Sequence, residues 1–364
     1  MNKDIKSLYI HIPFCEKICD YCDFTKLQYF RHFAVSYLQA LQKEIESYQI
    51  GQLDTIYVGG GTPTALEDDL FETLLQIIEP YSKGAKEYTF EANPESLSDN
   101  KIRMLSQYGV NRISIGVQST NDEILKYINR HHTFQQVKDA VINLKKHGIN
   151  NINVDLILGL PHTNKKYLLE DLANIDSLNI SHLSCYALTI HPHTVLFNKG
   201  YQEENDDIMR EYYDTVQQFL YSTEFIHYEV SNWAKPGKES LHNLTYWRNL
   251  PYYGVGLGAS GYVNNVRYKN TCNLTKYLNG QYIEEEENVN KKDAIVYQIM
   301  LNLRTNEGID LKCLYDDFNY DLLKDKKSVI DELIKNKYLY FRNEHLCPTY
   351  EGMMTLDQII LKLI

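Results

Sequence analysis

Three cysteines near the N-terminus have the type and spacing to bind a reactive cofactor. Cys15, Cys19 and Cys22 stand in CEKICDYC, a C-x3-C-x2-C pattern that directly follows an apolar run. Thiolates this close together on one loop can hold a single compact group, as iron–sulfur clusters require. Ligation by three residues instead of four leaves one metal position open to a substrate. The pattern therefore predicts a reactive iron–sulfur site.

Zinc is the alternative occupant of this loop. A tetrahedral zinc site needs a fourth Cys or His ligand. His11 stands four residues before Cys15, inside the preceding apolar run, and could complete a Cys3His site. The spacing favours the cluster but leaves both metals open.

Bulk composition limits the classes of function. The chain has 364 residues, 43% of them hydrophobic, which is enough for one large domain and a smaller one. A formal net charge of −11 disfavours binding to nucleic acid or to an anionic membrane. No stretch approaches the roughly 20 apolar residues of a membrane span, and the N-terminal segment lacks a signal-peptide run. We therefore expect a cytoplasmic protein.

The cysteines must be positioned by a repeated strand–helix pattern. Short apolar runs alternate with segments of helical periodicity up to about residue 190. The alternation predicts a parallel sheet with right-handed crossovers, either closed into a barrel or open and doubly wound. The predicted strands are 7–14, 54–60, 87–93, 112–119, 150–160 and 182–190, and the predicted helices are 31–49, 67–81, 98–108, 134–147 and 165–178.

The alternation of predicted strands and helices stops after about residue 200. A helix is predicted over 206–223, followed by an aromatic-rich stretch to about 283. We interpret the acidic run 284–287 as a solvated boundary, and 291–364 as a small winged-helix-like module. These changes divide the chain into 1–200, 201–285 and 286–364.

The cysteine segment resembles a known superfamily. C-x3-C-x2-C is the signature of radical S-adenosylmethionine (SAM) proteins, and YIHIPFCEKICDYCDF is similar to their coproporphyrinogen oxidase-like branch. The resemblance implies an α/β fold, a partial (β/α)6 TIM-like barrel with a small C-terminal winged-helix-like module. It also implies a 4Fe–4S cluster on the three cysteines, with SAM bound at the open iron. Cleavage of SAM in that superfamily needs an electron donor such as a flavodoxin or ferredoxin.

The same resemblance assigns SAM-binding residues by position. Most of these residues can also be explained without a ligand. The glycines would suit a tight turn, Glu91 and Asp155 could be charges at strand ends, and Arg130 could belong to a surface ion pair. The family usually has Glu before Pro where this chain has His191. The matching positions are Tyr9, Gly60, Gly61, Thr62, Glu91, Gln118, Arg130 and Asp155.

Two features separate the types of protein within this branch. The oxidases generally carry a fourth cysteine where this chain has Phe24, and a longer segment before the first strand. The string HNLTYW at 242–247 resembles the haem-binding motif of HemW-type haem chaperones, and by that match His242 is the haem ligand. The alternative is a buried aromatic turn in which the histidine is satisfied by protein partners.

The resemblance therefore predicts a haem chaperone that passes haem to an acceptor protein of unknown identity. No catalytic residue is assigned, and whether the chain turns over a substrate is left open. The alternative is an oxygen-independent coproporphyrinogen III dehydrogenase. A winged-helix regulator with a redox-sensing cluster is a weaker alternative, because 291–364 shows no basic helix. Partners are predicted to include no nucleic acid, and the chain is compatible with a homodimer.

Overall fold

A computed structural model describes residues 4–364 of the chain. Its strands are β1 Ser7–Ile12, β2 Phe14–Cys15, β3 Leu27–Gln28, β4 Thr55–Gly60, β5 Glu87–Ala92, β6 Arg112–Gln118, β7 Asn151–Leu158, β8 His182–Ala187, β9 Ile226–Glu229, β10 Asn232–Ala234, β11 Tyr253–Val255, β12 Ser260–Val263, β13 Val266–Asn270, β14 Ile283–Asn288, β15 Ile309–Asp310, β16 Leu339–Arg342 and β17 His345–Pro348.

The helices include all those predicted from the sequence, with ends that differ by at most a few residues. They are α1 Arg31–Ser47, α2 Asp68–Ser82, α3 Asp99–Gln107, α4 Asp122–Tyr127, α5 Phe134–Lys146, α6 Lys165–Asp176, α7 Val195–Asn198, α8 Asp206–Tyr221, α9 Leu241–Trp247, α10 Leu274–Leu278, α11 Lys291–Asn302, α12 Leu311–Phe318, α13 Leu322–Asp325, α14 Lys327–Lys335, α15 Tyr350–Met354 and α16 Leu356–Leu363. Within the described residues, none of these helices has the length and apolar character needed to cross a bilayer.

The strand order decides between barrel and open sheet. Strands β1, β4, β5, β6, β7 and β8 lie side by side in chain order, and each neighbouring pair is parallel. A doubly wound sheet reverses its order at a switch point, and this sheet does not. Since right-handed crossovers in one direction place their helices on one face, the other face is left free to line an interior. The fold is therefore a partial (β/α)6 barrel.

Further strands extend both ends of this sheet. β11 pairs parallel to β1, whereas β10 and β9 follow β8 in antiparallel pairing. In residues 4–364 no strand pairing joins β11 to β9, so the barrel is incomplete. Because Trp233 and Tyr277 are buried with the barrel core, residues 201–285 pack with residues 1–200. The division into three parts stays a prediction.

The barrel strands alternate between apolar and polar side chains. In β6, Ile113, Ile115 and Val117 belong to the apolar core, while Arg112 and Ser114 point the other way. Successive side chains of a strand face opposite sides of the sheet. The helix-facing side is therefore a packed core, and the interior side carries polar groups that can contact a ligand.

The acidic run at 284–287, which the sequence suggested to be a solvated boundary, lies within a strand. It forms β14, which pairs antiparallel with β13 and is exposed along its whole length. Glu285 lies opposite Lys269 and Glu287 lies opposite Arg267. Opposite charges on facing residues stabilise strand pairing, which explains why so acidic a segment is a strand.

The C-terminal residues form their own apolar core. The sheet order is β15, β17, β16, with α11, α12, α14 and α16 packed around it. This arrangement of helices and a three-stranded sheet with a β16–β17 hairpin is of winged-helix type. Arg248 pairs with Glu307 at 2.6 Å, and Asn302 Nδ2 donates to the carbonyl of Trp247 at 2.8 Å, so the module is tied to α9.

A buried carboxylate links α1 to the strands that follow α9. Glu44 is fully buried and accepts hydrogen bonds from the backbone N–H of Gly256 at 2.8 Å, Asn270 Nδ2 at 2.6 Å and the Tyr277 hydroxyl at 2.5 Å. Burial raises the pKa of Glu44. These bonds hold β11 and its neighbouring loop against the barrel.

We expect Glu44→Ala to lower the free energy of unfolding by roughly 3–5 kcal/mol, because three buried donors lose their acceptor. Chemical denaturation at pH 7 measures the change. Glu46→Ala, on the exposed face of the same helix, is the control and should change it by less than about 0.5 kcal/mol. A loss below about 1 kcal/mol for Glu44→Ala would contradict this account of the helix–strand junction.

Candidate functional site

A cavity of about 420 Å³ opens at the carboxyl ends of the barrel strands. Such ends converge at one edge of a parallel sheet, where ligands of these folds bind. Tyr9 and His242 are the two predicted site residues that lie outside its lining. The predicted residues that line it are Cys15, Cys19, Cys22, Gly60, Gly61, Thr62, Glu91, Gln118, Arg130 and Asp155.

The cysteine loop is anchored from two sides. The backbone N–H of Asp20 donates to the carbonyl of Ile128 at 3.1 Å, and Asn129 Nδ2 donates to the carbonyl of Ile18 at 2.8 Å. On the other side the N–H of Leu196 donates to the carbonyl of Asp20 at 2.9 Å. These bonds position the loop, and the three thiols border one space.

A chain of polar contacts joins two of the cysteines across the strand ends. The Thr62 hydroxyl lies 3.8 Å from Cys15 Sγ and accepts a hydrogen bond from Asn93 Nδ2 at 3.1 Å. Arg130 Nη1 donates to Asn93 Oδ1 at 2.8 Å and lies 3.7 Å from Cys19 Sγ. The sequence analysis did not assign Asn93. Its position two residues after Glu91, beyond the end of β5, is the signal that could have identified it.

Arg130 is not the surface ion-pair residue of the structural alternative. It is only 5% exposed, and Nη2 also donates to the carbonyl of Gly116. Its Nε is buried and has no hydrogen-bond partner within the described residues. Because Arg130 lines the cavity, its guanidinium is suited to an anionic group such as a carboxylate.

The glycine segment is shaped by the strand that carries the cysteines. The N–H of Gly61 donates to the carbonyl of Ile12 at 2.8 Å, and that of Thr62 to the carbonyl of Phe14 at 2.8 Å. Gly60 has φ of 113°, and a Cβ there would lie 2.6 Å from the His11 ring. Only glycine fits this position without displacing the ring. The segment therefore presents bare backbone to the cavity.

Two carboxylates lie on the interior face of the barrel. Glu91 accepts from the Tyr57 hydroxyl at 2.8 Å and from the N–H of Gly60 at 2.9 Å. Asp155 accepts from the Ser114 hydroxyl at 2.9 Å. Burial raises the pKa of Glu91 to about 7 and also raises the pKa of Asp155. These oxygens can accept hydrogen bonds from an ammonium or a ribose diol.

The raised pKa of Glu91 makes the stability of the free protein depend on pH. The native state keeps this proton up to about pH 7, whereas the unfolded chain loses it near its ordinary value of 4.5. The contribution of Glu91 to the free energy of unfolding is therefore largest below pH 4.5 and is lost as the pH rises through 7. We expect Glu91→Gln to be more stable than the native chain by roughly 3 kcal/mol at pH 8, with little difference at pH 4.

Denaturant titrations of both proteins across this pH range test that expectation. Glu79→Gln, on the exposed face of α2, serves as the control and should follow the native chain at every pH. A difference between Glu91→Gln and the native chain that stays constant with pH would show that burial does not hold the proton on Glu91.

A hydrogen bond joins Tyr9 to His11. The Tyr9 hydroxyl lies 2.9 Å from His11 Nδ1, and His11 Nε2 lies 2.7 Å from the carbonyl of Thr25. Burial lowers the pKa of His11 to about 4, so the ring is neutral. Because both ring nitrogens have protein partners, His11 cannot act as the fourth ligand of a Cys3His zinc site without breaking one of these bonds. The zinc alternative thus loses its nearest candidate.

His242 lies at the opposite end of the barrel from the cysteines. It is fully buried in α9, with Nδ1 2.8 Å from the Thr55 hydroxyl and Nε2 2.7 Å from the Tyr246 hydroxyl. Glu87 accepts from the backbone N–H of His242 at 3.0 Å and so holds the first turn of α9. In this conformation neither ring nitrogen is free for a metal. His242 as a haem ligand stays a prediction, one that requires α9 to move.

The donor set fits a cluster with several metals better than a single ion. Within residues 4–364, no three His, Cys, Asp or Glu side chains are arranged to share one ion. The three thiols instead border a common space, as suits a cluster whose ligands bind separate irons. Burial raises the pKa of Cys15 to about 11 and that of Cys22 above its ordinary value. In the metal-free chain these two thiols are protonated at neutral pH.

Comparisons with known proteins find matches along both the barrel and the C-terminal module. Residues 9–175 match the model of the radical SAM superfamily, and residues 289–355 match the HemN C-terminal domain. The fold is similar to that of coproporphyrinogen III oxidase (HemN) from Escherichia coli, with a TM-score of 0.87 at 21% identity, covering 99% of this chain and 90% of that one.

Curated relatives are similar over nearly their whole length. The Heme chaperone HemW of Lactococcus lactis is 38% identical, covering 98% of this chain and 97% of the relative. Those of Bacillus subtilis and E. coli are 34% and 32% identical, covering 98% and 97% of this chain and the same shares of each relative. With this identity along both chains, and cysteines, glycine segment and interior carboxylates gathered around one cavity, the chain belongs to the HemW family of radical SAM proteins.

Proposed function

We propose that this protein is a haem chaperone, which binds haem and delivers it to an acceptor protein. The observation that carries the proposal is the match to curated haem chaperones along the whole of both chains. A chaperone needs a binding surface and a route for release, and it does not need turnover. Cytoplasmic location, a flavodoxin or ferredoxin as electron donor and a homodimer stay predictions.

We propose that the cavity holds a 4Fe–4S cluster on Cys15, Cys19 and Cys22, with SAM beside it. When bound, the cluster supplies an open iron to which SAM can attach. Arg130 lines the cavity and offers its guanidinium to the SAM carboxylate, and the bare backbone at Gly60 and Gly61 allows close approach. Glu91 and Asp155 face the same space and suit the ammonium and the ribose. Gln118 and Thr62 also line the cavity. Tyr9 lies outside the lining and contacts it indirectly, by a hydrogen bond to His11, whose ring lies against Gly60.

The test of function uses the full chain, reconstituted anaerobically with iron and sulfide. Haem is added and the Soret band is followed in difference spectra against the same sample without haem. The loaded protein is then mixed with an apo-haemoprotein, and haem transfer is read from the spectrum of that acceptor. We expect stoichiometric uptake followed by transfer. Absence of uptake would refute the proposal.

The same sample distinguishes the enzymatic alternative. Incubation with SAM, a reductant and coproporphyrinogen III should yield no decarboxylated porphyrinogen. Product that forms in the native chain and disappears in Cys19→Ala would instead make it a coproporphyrinogen III dehydrogenase. The oxidase is 21% identical in sequence to this chain, so the structural similarity shows a shared fold and does not indicate a shared reaction.

A further inference from the structure

Helix α9 packs against the start of the barrel strands, where a buried carboxylate holds its first turn. Glu87, the first residue of β5, accepts hydrogen bonds from the Ser240 hydroxyl at 3.2 Å and from the backbone N–H groups of Leu241 at 2.9 Å and His242 at 3.0 Å. The Glu87 side chain is itself buried. Because the His242 ring is fully buried in this position, haem iron can reach it only after α9 has moved. The helix therefore needs two positions, the closed one of this structure and an open one.

One side chain of the barrel interior contacts both this helix and the cavity. Tyr57 lines the cavity, and its hydroxyl donates to Glu91 Oε1 at 2.8 Å. The ring of Tyr57 packs against the ring of His242, with centroids 5.2 Å apart and planes at 32°. Thr55, two residues earlier on the same face of β4, lies 2.8 Å from His242 Nδ1. Tyr57 thus joins the proposed SAM site to the predicted haem ligand through two direct contacts.

A cation in the cavity strengthens the bond that holds Tyr57. In the free protein burial raises the pKa of Glu91 to about 7, so part of the population carries a protonated Glu91 at neutral pH. An ammonium beside Glu91 favours the ionised form, and a hydrogen bond to a carboxylate is roughly twice as strong as one to a neutral group. When α9 moves away, the Tyr57 ring loses its contact with His242 and is held less firmly toward Glu91. A ligand that strengthens this bond therefore favours the closed helix.

We propose that Tyr57 couples the two sites: with SAM in the cavity it holds α9 closed, and so promotes release of haem from His242. The inference rests on the proposed function and on the prediction that His242 binds haem iron. Binding of SAM is sufficient for this step, and no bond within SAM is broken. Coupling between two sites is reciprocal, so haem on the open helix weakens SAM binding by the same factor.

The experiment titrates haemin into the full chain carrying its cluster, with and without saturating SAM, and reads affinity from Soret difference spectra. We expect SAM to weaken haemin affinity at least about fivefold. Equilibrium dialysis with labelled SAM, with and without haemin, should give the same factor. Tyr57→Phe keeps the ring against His242 and removes the hydroxyl that bonds Glu91, so both factors should fall below about twofold.

Hydrogen exchange measures the position of α9 without haem. The amides of Leu241 and His242, which donate to Glu87, exchange when the helix opens. SAM should slow their exchange at least about fivefold in the native chain and less than about twofold in Tyr57→Phe. If Tyr57 only stabilised the fold, the variant would exchange faster without SAM and would keep its response to SAM.

Tyr186→Phe is the matched control. It removes the hydroxyl of another tyrosine that lines the cavity, and in residues 4–364 no hydrogen bond or ring contact joins Tyr186 to α9. This variant should keep the native coupling factor. Equal haemin affinity with and without SAM in the native chain, or a factor that survives in Tyr57→Phe, overturns the inference. If the native chain takes up no haem, the proposed function fails, and the exchange of α9 then decides whether Tyr57 couples the helix to the cavity.

Discussion

Anaerobic reconstitution of the Cys19→Ala variant should yield less than about a tenth of the iron and sulfide bound by the native chain, because two thiolates cannot hold a 4Fe–4S cluster. Cys19 is the middle cysteine of the loop, and its Sγ lies 3.7 Å from Arg130 Nη1. The loop itself should keep its shape. Its anchors are backbone bonds to Ile128 and Leu196, which the substitution does not touch.

Iron and sulfide analysis, with the visible absorption of the cluster, measures this effect. Circular dichroism and the free energy of unfolding of the metal-free protein should match the native values. Cys272→Ala is the matched control, since Cys272 is also a free cysteine but lies outside the cavity lining. Full iron content in Cys19→Ala, or loss of iron in Cys272→Ala, would show that the cluster ligands have been misassigned.

Arg130→Lys should weaken SAM binding by roughly 10–100-fold while leaving the cluster in place. A planar guanidinium can donate to Asn93, to the carbonyl of Gly116 and to a ligand carboxylate together, whereas an ammonium is a single point of charge. A factor of this size corresponds to about 1.4–2.8 kcal/mol. The loss reflects the geometry of the side chain, because the positive charge is retained.

Equilibrium dialysis with labelled SAM measures the affinity of the reconstituted protein. Iron content must be determined in the same samples, since Arg130 also lies beside Cys19. Arg103→Lys, on the surface helix α3, provides the control and should bind SAM like the native chain. Binding within about threefold of native in Arg130→Lys would exclude a role for the guanidinium in holding SAM.

Much of the barrel could be predicted from the sequence because its signals are local. Each predicted barrel strand has a counterpart in the structure, and the differences are confined to the ends. The run at 7–14, for example, becomes β1 over Ser7–Ile12 and the short β2 over Phe14–Cys15. Strands β1, β5 and β7 end within two residues of Pro13, Pro94 and Gly159, and those residues are visible in the chain.

Other parts of the site depend on contacts between distant segments. Asn93 bridges Thr62 and Arg130, which are separated from it by 31 and 37 positions in the chain. His242, which the resemblance assigns as the haem ligand, packs against Thr55, 187 positions away. The acidic strand β14 forms because β13 offers Lys269 and Arg267 opposite it. None of these partners is marked by spacing along the sequence.

The sequence by itself determined the cysteine loop, the order of strands and helices and the polar groups at the strand ends, because these depend on neighbouring residues. Only the tertiary structure decided which polar groups meet. Because the strands follow one another in one direction around the barrel, the ends of β4, β5, β6 and β7 surround one cavity at one end. The same arrangement buries His242 at the other end of the barrel. His191 in the loop after β8 meets Asp23 beside Cys22 for the same reason, since two loops far apart in the sequence reach the same cavity at one end of the barrel.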